Sequence, residues 1–500
     1  MISAANTLPI LALVVLLCGV SHRDTEGSNA SGQGSVSPVR AAATYYVDSA
    51  GGDDQNGGIS PQTPWKTLEK VNNETFSPGS RILLKAGGVY SGGLRLTSPG
   101  SEDHPNVVDR YGEGPNPRLE TGGVVVQIEN TQFWEVRNLE VCGGRTGVLV
   151  QLKDYGVARH IHLMDLEIHD IHGGTTGDNS GILCINSGVT TRFDGLLIKN
   201  CAIRHADRNG ILVTDWPGPT DEHRSTNVVI HGNRLSDIGG DGIFILACKD
   251  AIIERNVLRY AHQRVARGKG ERACAGIWPH RCDDTLIQFN EVSHTAVGGK
   301  TVWDSEAFDD DSSCTGSIFQ YNYSHDNAGG FMLVCGGRGT IVRYNISQND
   351  ATATFTFESD RVSDCAVYNN TVFVSEELDV ELVRNTFGAP DGIRFLNNIF
   401  LVRGKARYSI RGIKDLVFDH NCFFGNHVAL PSDAHAVATD PLLEGPGSGA
   451  EGLDSLDGYR LRVASPCIRA GTAVPDNGGH DLWGSAVPET ESPNIGAHQR

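Results

Sequence analysis

The stretch VVIHGNRLSDIGGDGIFIL (228–246), followed at once by AIIERNVLRYAHQ (251–263), decides how this chain is read. The same phrase returns as TLIQFNEVSHTAV (285–297), SIFQYNYSHDNAGGFMLV (317–334) and TIVRYNISQNDATATFTF (340–357). CAVYNNTVFV (365–374), IRFLNNIFLV (393–402) and LVFDHNCFFG (416–425) continue it, and LLIKNCAIRHADRNGILV (196–213) precedes it. Each unit carries an Asn at one place: Asn200, Asn233, Asn256, Asn290, Asn322, Asn345, Asn370, Asn398 and Asn421, spaced 23 to 34 residues apart. Short alternating strands with Gly or Asn turns at this period describe the coils of a parallel β-helix. One coil cannot bury its apolar face alone; the next coil supplies the partner. Asn tolerates a left-handed turn, and stacked amides can bond from coil to coil. Asn322, Asn345 and Asn369 match a glycosylation sequon, but they sit in or beside the ladder, where a buried structural role is expected.

The remainder of the chain is organised around this repeat. Leu8 to Val20 is an apolar run of signal-peptide length, too short to span a bilayer, and cleavage after Ser21 is expected. Cys18 follows Leu17, a poor lipoprotein signal. The expected location is secreted or periplasmic. The expected divisions are a signal peptide (1–21), a disordered linker (22–43) and an N-terminal cap with the first coils (44–123). The β-helix with its cleft loops (124–426) and a C-terminal wrap (427–500) follow. Trp65, Leu68 and Val71 are spaced as one face of a capping helix. The formal charge of −18 argues against nucleic-acid binding. No later segment is long and apolar enough to span a membrane, and a monomer is expected. Of the twelve Cys, Cys184, Cys201, Cys335 and Cys365 read as small buried hydrophobes, and Cys274 and Cys282 are close enough in sequence to pair.

TYYVDSAGGDDQNGGISPQTPWKTLEKVNNETFSPGSRILLKAGGVYSGGLRL (44–96), with the Asn-bearing coils after it, resembles the secreted right-handed parallel β-helix proteins of the pectate-lyase-like superfamily. The resemblance covers about residues 44–490 and implies an all-β single solenoid and a polysaccharide substrate. It does not name the reaction, which has to come from the site. DSAGGDDQNGG (48–58) is read as an Asp/Gly turn rather than a calcium loop.

Several coils run to 32–34 residues. The surplus lies in 215–227, 262–274 and 295–307, at nearly one phase of consecutive coils, as the walls of a cleft would. Aligning the following strands puts Ile211, Ile243, Ile277, Phe308, Phe331 and Phe355 inward. Leu212, Phe244, Trp278, Asp309, Met332 and Thr356 then face out. Two residues on, Thr214, Leu246, His280, Asp311, Val334 and Glu358 form a second outward column. Asn209, Asp241, Ala275, Glu306, Gly329 and Ala353 come just before. Two strand steps place Asp309 and Asp311 about 6.6 Å apart on one face. Two coils place Asp241 and Glu306 roughly 9.6 Å apart. Paired carboxyls at such separations suit glycoside hydrolysis.

Glu306 and Asp309 are therefore the preferred acid and base or nucleophile, with Asp241 and Asp311 as alternates and His280 beside Asp311. Alternation points Asp310 inward, where it must meet a cation such as calcium, pair with a buried base, or leave the ladder on a bulge. No cofactor is required otherwise. Arg264, Arg267, Lys269, Arg272 and Lys300 form a positive wall suited to a uronic or sulfated sugar. Trp216, Trp278 and Trp303 can stack on sugar rings, and Glu358 extends the outward column. The leading expectation is a glycoside hydrolase of an anionic polysaccharide. A lyase using Arg, Lys or His with calcium, and a non-catalytic adhesive solenoid, are the alternatives. The clustered acids resemble those of the polygalacturonase family, but its Asn-Thr-Asp and Gly-His-Gly motifs are absent, so its residue roles do not transfer. His160, His162, His169, His172, His294 and His325 read mostly as scaffold.

Overall fold

Three columns of short strands run the length of the molecule, every strand pairing parallel with its equivalent one coil later. The structure is a computed structural model that describes residues 42–216, 223–264, 274–296 and 305–499. One column begins at Thr44–Val47 and Arg81–Lys85 and ends at Asp391–Leu396 and Lys414–Asp419. A second includes Arg234–Ile238, Val257–Arg259, Glu291–Ser293 and Tyr323–His325. The third carries the long-coil strands Asn209–Trp216, Ile243–Leu246, Ile277–His280 and Glu306–Asp310. Inward residues of all three form one continuous apolar core, from Tyr45 and Trp65 to Phe418 and Phe423. The described residues fall within one compact unit, Val39–Arg500. No helix among them is long and apolar enough to cross a membrane.

The Asn ladder is continuous from Asn233 to Asn421. Asn256 shows the unit. Its Oδ1 accepts from the backbone N–H and from the Nδ2 of Asn233, both at 2.9 Å. Its own Nδ2 donates to Asn290 Oδ1 at 3.0 Å and to the Ile230 carbonyl at 2.9 Å. Both lone-pair directions and both N–H bonds of the amide are thus used, which is what permits a fully buried polar side chain. The run ends on Asp433, whose Oδ2 accepts from Asn421 N and Nδ2.

Two expectations about the ladder are corrected. The ladder Asn is not the left-handed residue; the residue before it is. Arg255, Phe289, Tyr321, Tyr344, Asn369 and Asn397 all have φ between 52° and 57°. Asn200 belongs to that preceding column, with φ 54°, and Cys201 holds the ladder position, its N–H donating to Asn233 Oδ1. The sequon residues Asn322, Asn345 and Asn369 are buried, as expected.

The strand alignment holds up to Phe308 and then slips by one. Ile211, Ile243, Ile277 and Phe308 pair in order, but Phe308 pairs with Met332, and Met332 with Phe355. Phe331 fills the corner of the coil, level with Ala307, where earlier coils have Gly242 and Gly276. Gly330, with φ 136°, makes that corner possible. Phe331 and Met332 both point into the core, so a single apolar cue chose the wrong one. Leu333 therefore replaces Met332, Cys335 replaces Val334, and Gly330 replaces Gly329 in their columns; Cys335 is not an interior residue.

The ends differ in detail. Trp65 is buried but precedes the helix, which covers only Leu68–Asn72 behind the N-cap Thr67. Asp48 caps the turn at Ala50 and Gly51 and pairs with Lys85. The C-terminal segment does not simply close the last coil. It runs back along the flank: Leu456, Tyr459, Leu461 and Ile495 pack on Tyr323, Ile346, Phe373 and Ile399. The Gly452 N–H reaches Glu291. Cys274 and Cys282 do not pair with each other; Cys282 lies in the core beside Cys248, and Cys274 meets Arg208.

Asn290→Ala leaves the N–H of Asn256 and one of its two Nδ2 hydrogens without an acceptor inside the fold, while the other still reaches the Ile230 carbonyl. The expected cost is at least about 3 kcal/mol, from four lost side-chain bonds and two stranded donors. Asn200→Gly, at a left-handed exposed position, is expected to be near neutral. Urea unfolding of the two variants checks the contrast.

Candidate active site

The long-coil strands carry the chemistry because their residues alternate between core and cleft. Phe244 and Trp278 are register partners on adjacent coils, and their rings stack at 3.6 Å and 4°. Trp278 Nε1 donates to Asp241 Oδ1 at 2.9 Å, and the Ala275 N–H donates to the same oxygen at 3.1 Å. Arg208 reaches Asp241 Oδ2 at 3.1 Å and also meets Cys274 Sγ. Three groups therefore fix this buried carboxylate from below and behind. On the far side, His280 Nδ1 lies 2.7 Å from Asp311 Oδ2, and Asp311 Oδ1 accepts from Ser312 N at 2.6 Å. Between these two clusters is a cavity of about 250 Å³, lined by Asp178, Arg208, Asp241, Phe244, Trp278, His280 and Asp311 among others.

Of the expected catalytic residues, the cavity brings together Asp241, His280 and Asp311. Glu306 and Asp309 lie on the same strand but do not line it. Glu306 is 1% exposed, with Oε1 3.6 Å from Arg384, and Asp309 is 5% exposed. Glu358 is buried farther along and accepts from the Thr386 hydroxyl. Trp278 lines the cavity as expected. Arg264 does not. Its guanidinium is turned to Asp237 and to the carbonyls of Ala206 and Asp237, at 2.5 to 2.7 Å. Arg267, Lys269, Arg272, Lys300 and Trp303 lie outside the described residues, as does the side chain of Trp216.

The sequence reading missed Arg208, Asp178 and Phe244 as site residues. Arg208 precedes Asn209, a column the alignment had already placed at the cleft edge, so the signal was present. It was overlooked because it sits before the strand and outside the acidic run.

Asp310 is the residue that alternation sends inward, and the strand Glu306–Asp310 does so without a bulge. It is fully buried, and Thr340 Oγ1 donates to its Oδ2 at 2.5 Å. Burial pushes its carboxyl up to about 6, against the hydrogen bonds of Thr340, Ser317 and Cys314. One carboxylate, two hydroxyls and a thiol do not make the six to eight oxygens calcium requires. The calcium expectation at Asp310 is therefore not supported by the donors present. Two more carboxyls stay high: Asp215, pushed to about 6 by burial against the pull of Arg281, His280 and Arg224, and Asp350, raised by burial to about 6.

The fold just described is a parallel β-helix. A family model described as a right handed beta helix region matches residues 123–292. The chain is similar to the lacto-N-biosidase of Bifidobacterium longum subsp. longum. Identity is 27% over 600 aligned positions, covering 94% of this chain and 37% of that protein. The chain thus spans little more than a third of that relative's length. Among solved structures, a GH136 lacto-N-biosidase from Eubacterium ramulus superposes with a TM-score of 0.62 at 24% identity, covering 71% of this chain and 68% of that one. The complex of XylC with xylose gives 0.52 at 12% identity, with coverage of 91% and 98%.

Asp310 yields a pH test. A carboxyl whose folded value is raised binds more protons in the fold than in the unfolded chain, so its contribution falls as pH rises from 3.8 to about 6. At about 1.4 kcal/mol per pH unit, ionising it in the fold costs roughly 3 kcal/mol. Asp310→Asn is expected to gain on the wild type by up to that amount between pH 4 and 7. Denaturant melts of both proteins across that range measure it; a constant difference would show that Asp310 is not neutral inside.

Proposed function

We propose that this protein is an exported glycoside hydrolase that binds its glycan over the Phe244–Trp278 stack and cleaves it between Asp241 and Asp311. The observation that carries this reading is the cavity itself: an aromatic floor with a carboxylate at either side. Aromatic faces suit the apolar face of a sugar ring, and paired carboxyls suit acid/base cleavage of a glycosidic bond. The lacto-N-biosidase likeness over 94% of this chain supports the same reaction class. It also supports an oligosaccharide of the kind that name describes.

Asp311 is the proton donor in this proposal. His280, in direct contact with it, orients the carboxyl and can return the proton after each turnover. Asp241 is held by Arg208, Trp278 and the Ala275 N–H, and it stabilises the positive charge that develops on the sugar. The described lining favours a neutral sugar over the anionic one expected at first. Asp178, Asp241 and Asp311 face the cavity, while its one described Arg is already paired with Asp241.

Asp311→Asn and Asp241→Asn are each expected to lower kcat by at least about a hundredfold, with Asp241→Asn also destabilised because it leaves the buried Arg208 unpaired. Trp278→Ala is expected to act mainly on KM. Reducing-end release from neutral lacto-type oligosaccharides and from uronic and sulfated polysaccharides is the assay, read together with the ultraviolet absorbance of unsaturated sugar. Unsaturated products would make the enzyme a lyase; full activity in both Asn variants would remove the assignment.

A further inference from the structure

We propose that Glu135, His160 and His162 form a divalent-metal site of zinc type that clips two consecutive coils near the N-terminal end of the solenoid. The site lies on a different strand column from the cleft. Glu135 belongs to the strand Trp134–Arg137 and His162 to Val157–Met164, and the two are register partners across the coil boundary. His160 has φ 50°, a conformation costly for a residue with a Cβ. The two imidazoles lie face to face, 3.7 Å between centroids and 30° apart. His160 Nε2 is 3.2 Å from Glu135 Oε1, and one ligand atom from each of the three residues lies within 4.8 Å of the others.

Two imidazoles and one carboxylate are the donor set of an open zinc site. Zinc–ligand bonds of about 2.0–2.2 Å put tetrahedral ligand atoms roughly 3.3 Å apart. The His160–Glu135 pair already meets that spacing, and turning His162 out of its stack on His160 would bring its lone pair to the same point. The carboxylate is also held from behind: its Oε2 accepts from Arg137 Nη1 at 3.2 Å, which leaves Oε1 for the ion. Access is open. His160 is 31% and Glu135 19% exposed at the side chain, and the neighbour of His160 on the next coil is Gly195, which has no side chain to cover it. Phe133 flanks His160 on the other coil at 6.2 Å.

The trio Asp241, His262 and Cys274, next to the cleft, meets the same spacing but differs in one decisive respect. Arg208 contacts both Asp241 and Cys274, so the protein's own cation stands where a metal would. At Glu135, by contrast, Arg137 meets Oε2, while Oε1 faces His160.

Because its ligands come from two coils, a bound ion stabilises the folded state by mass action. Chelator-stripped full-length protein is titrated with zinc chloride by calorimetry, and its Tm is followed with and without zinc. The wild type is expected to show a reversible rise in Tm that EDTA abolishes. The double variant H160A/H162A is expected to lose one equivalent of zinc and that rise. E135Q, which keeps the fold and both imidazoles, is expected to bind at least about tenfold more weakly. H420A/H435A, altering the His pair beside Asp419, is expected to keep both responses. Unchanged stoichiometry and Tm rise in H160A/H162A and E135Q, or no zinc response in the wild type, would overturn the proposal.

Discussion

Everything in this solenoid depends on a side-chain amide that bonds to its own copy one coil away. Each ladder Asn accepts twice from the coil before and donates to the coil after, at 2.9 to 3.0 Å. The constraint is strict at that point and absent elsewhere. Coils of 23 and of 34 residues meet the ladder with the same geometry. That freedom is what permits a cleft. The third strand column can admit long insertions between its strands while the Asn column keeps every coil in register.

Within the cleft column, strand alternation sorts side chains that would otherwise repel one another. Asp310 faces the core, while Asp309, itself buried, and Asp311, at the cavity, lie on the other side of the strand. Crowded anions are costly, and burial of a charge is more so. Burial raises the Asp310 carboxyl to about 6, and Thr340, Ser317 and Cys314 hydrogen-bond it. The strand itself runs without a bulge. Asp350 solves the same problem in another coil, with Asn327 and Ser347 as its donors. Interior acids of this kind are legible from alternation, but their charge state is not, because it depends on which hydroxyls the neighbouring coils bring.

The repeat made the fold legible: the Asn period, the apolar alternation and the long coils were all visible as residues. So was the contact of His280 with Asp311, because one coil step suffices to place it. What failed has specific physical reasons. Asn200 looked like a ladder residue because Asn serves both as the buried amide and as the left-handed residue before it. Phe331 looked like the inward residue because the coil corner changes from Gly to Phe, and two adjacent side chains can then point into the core. The basic wall was read from sequence proximity, yet Arg264 folds back onto Asp237 and onto backbone carbonyls. Arg208, far from the acidic run in sequence, is the Arg that reaches Asp241.

The position of the cavity follows from the same coil-to-coil logic. Phe244 and Trp278 can stack at 3.6 Å only because they are register partners on parallel strands, which run about 4.8 Å apart and let rings close on one another. Stacking fixes the plane of the indole, and that plane aims Nε1 at Asp241, itself on the same coil as Phe244. One aromatic pair thus makes the floor and orients the carboxylate. Asp311 enters from the opposite side, one coil beyond His280, so a ligand on that floor must lie across several coils to meet both acids. A solenoid whose coils are locked by buried amides resists the sliding that would separate them. The rigidity of the ladder and the geometry of the site are therefore one property seen on two faces of the helix.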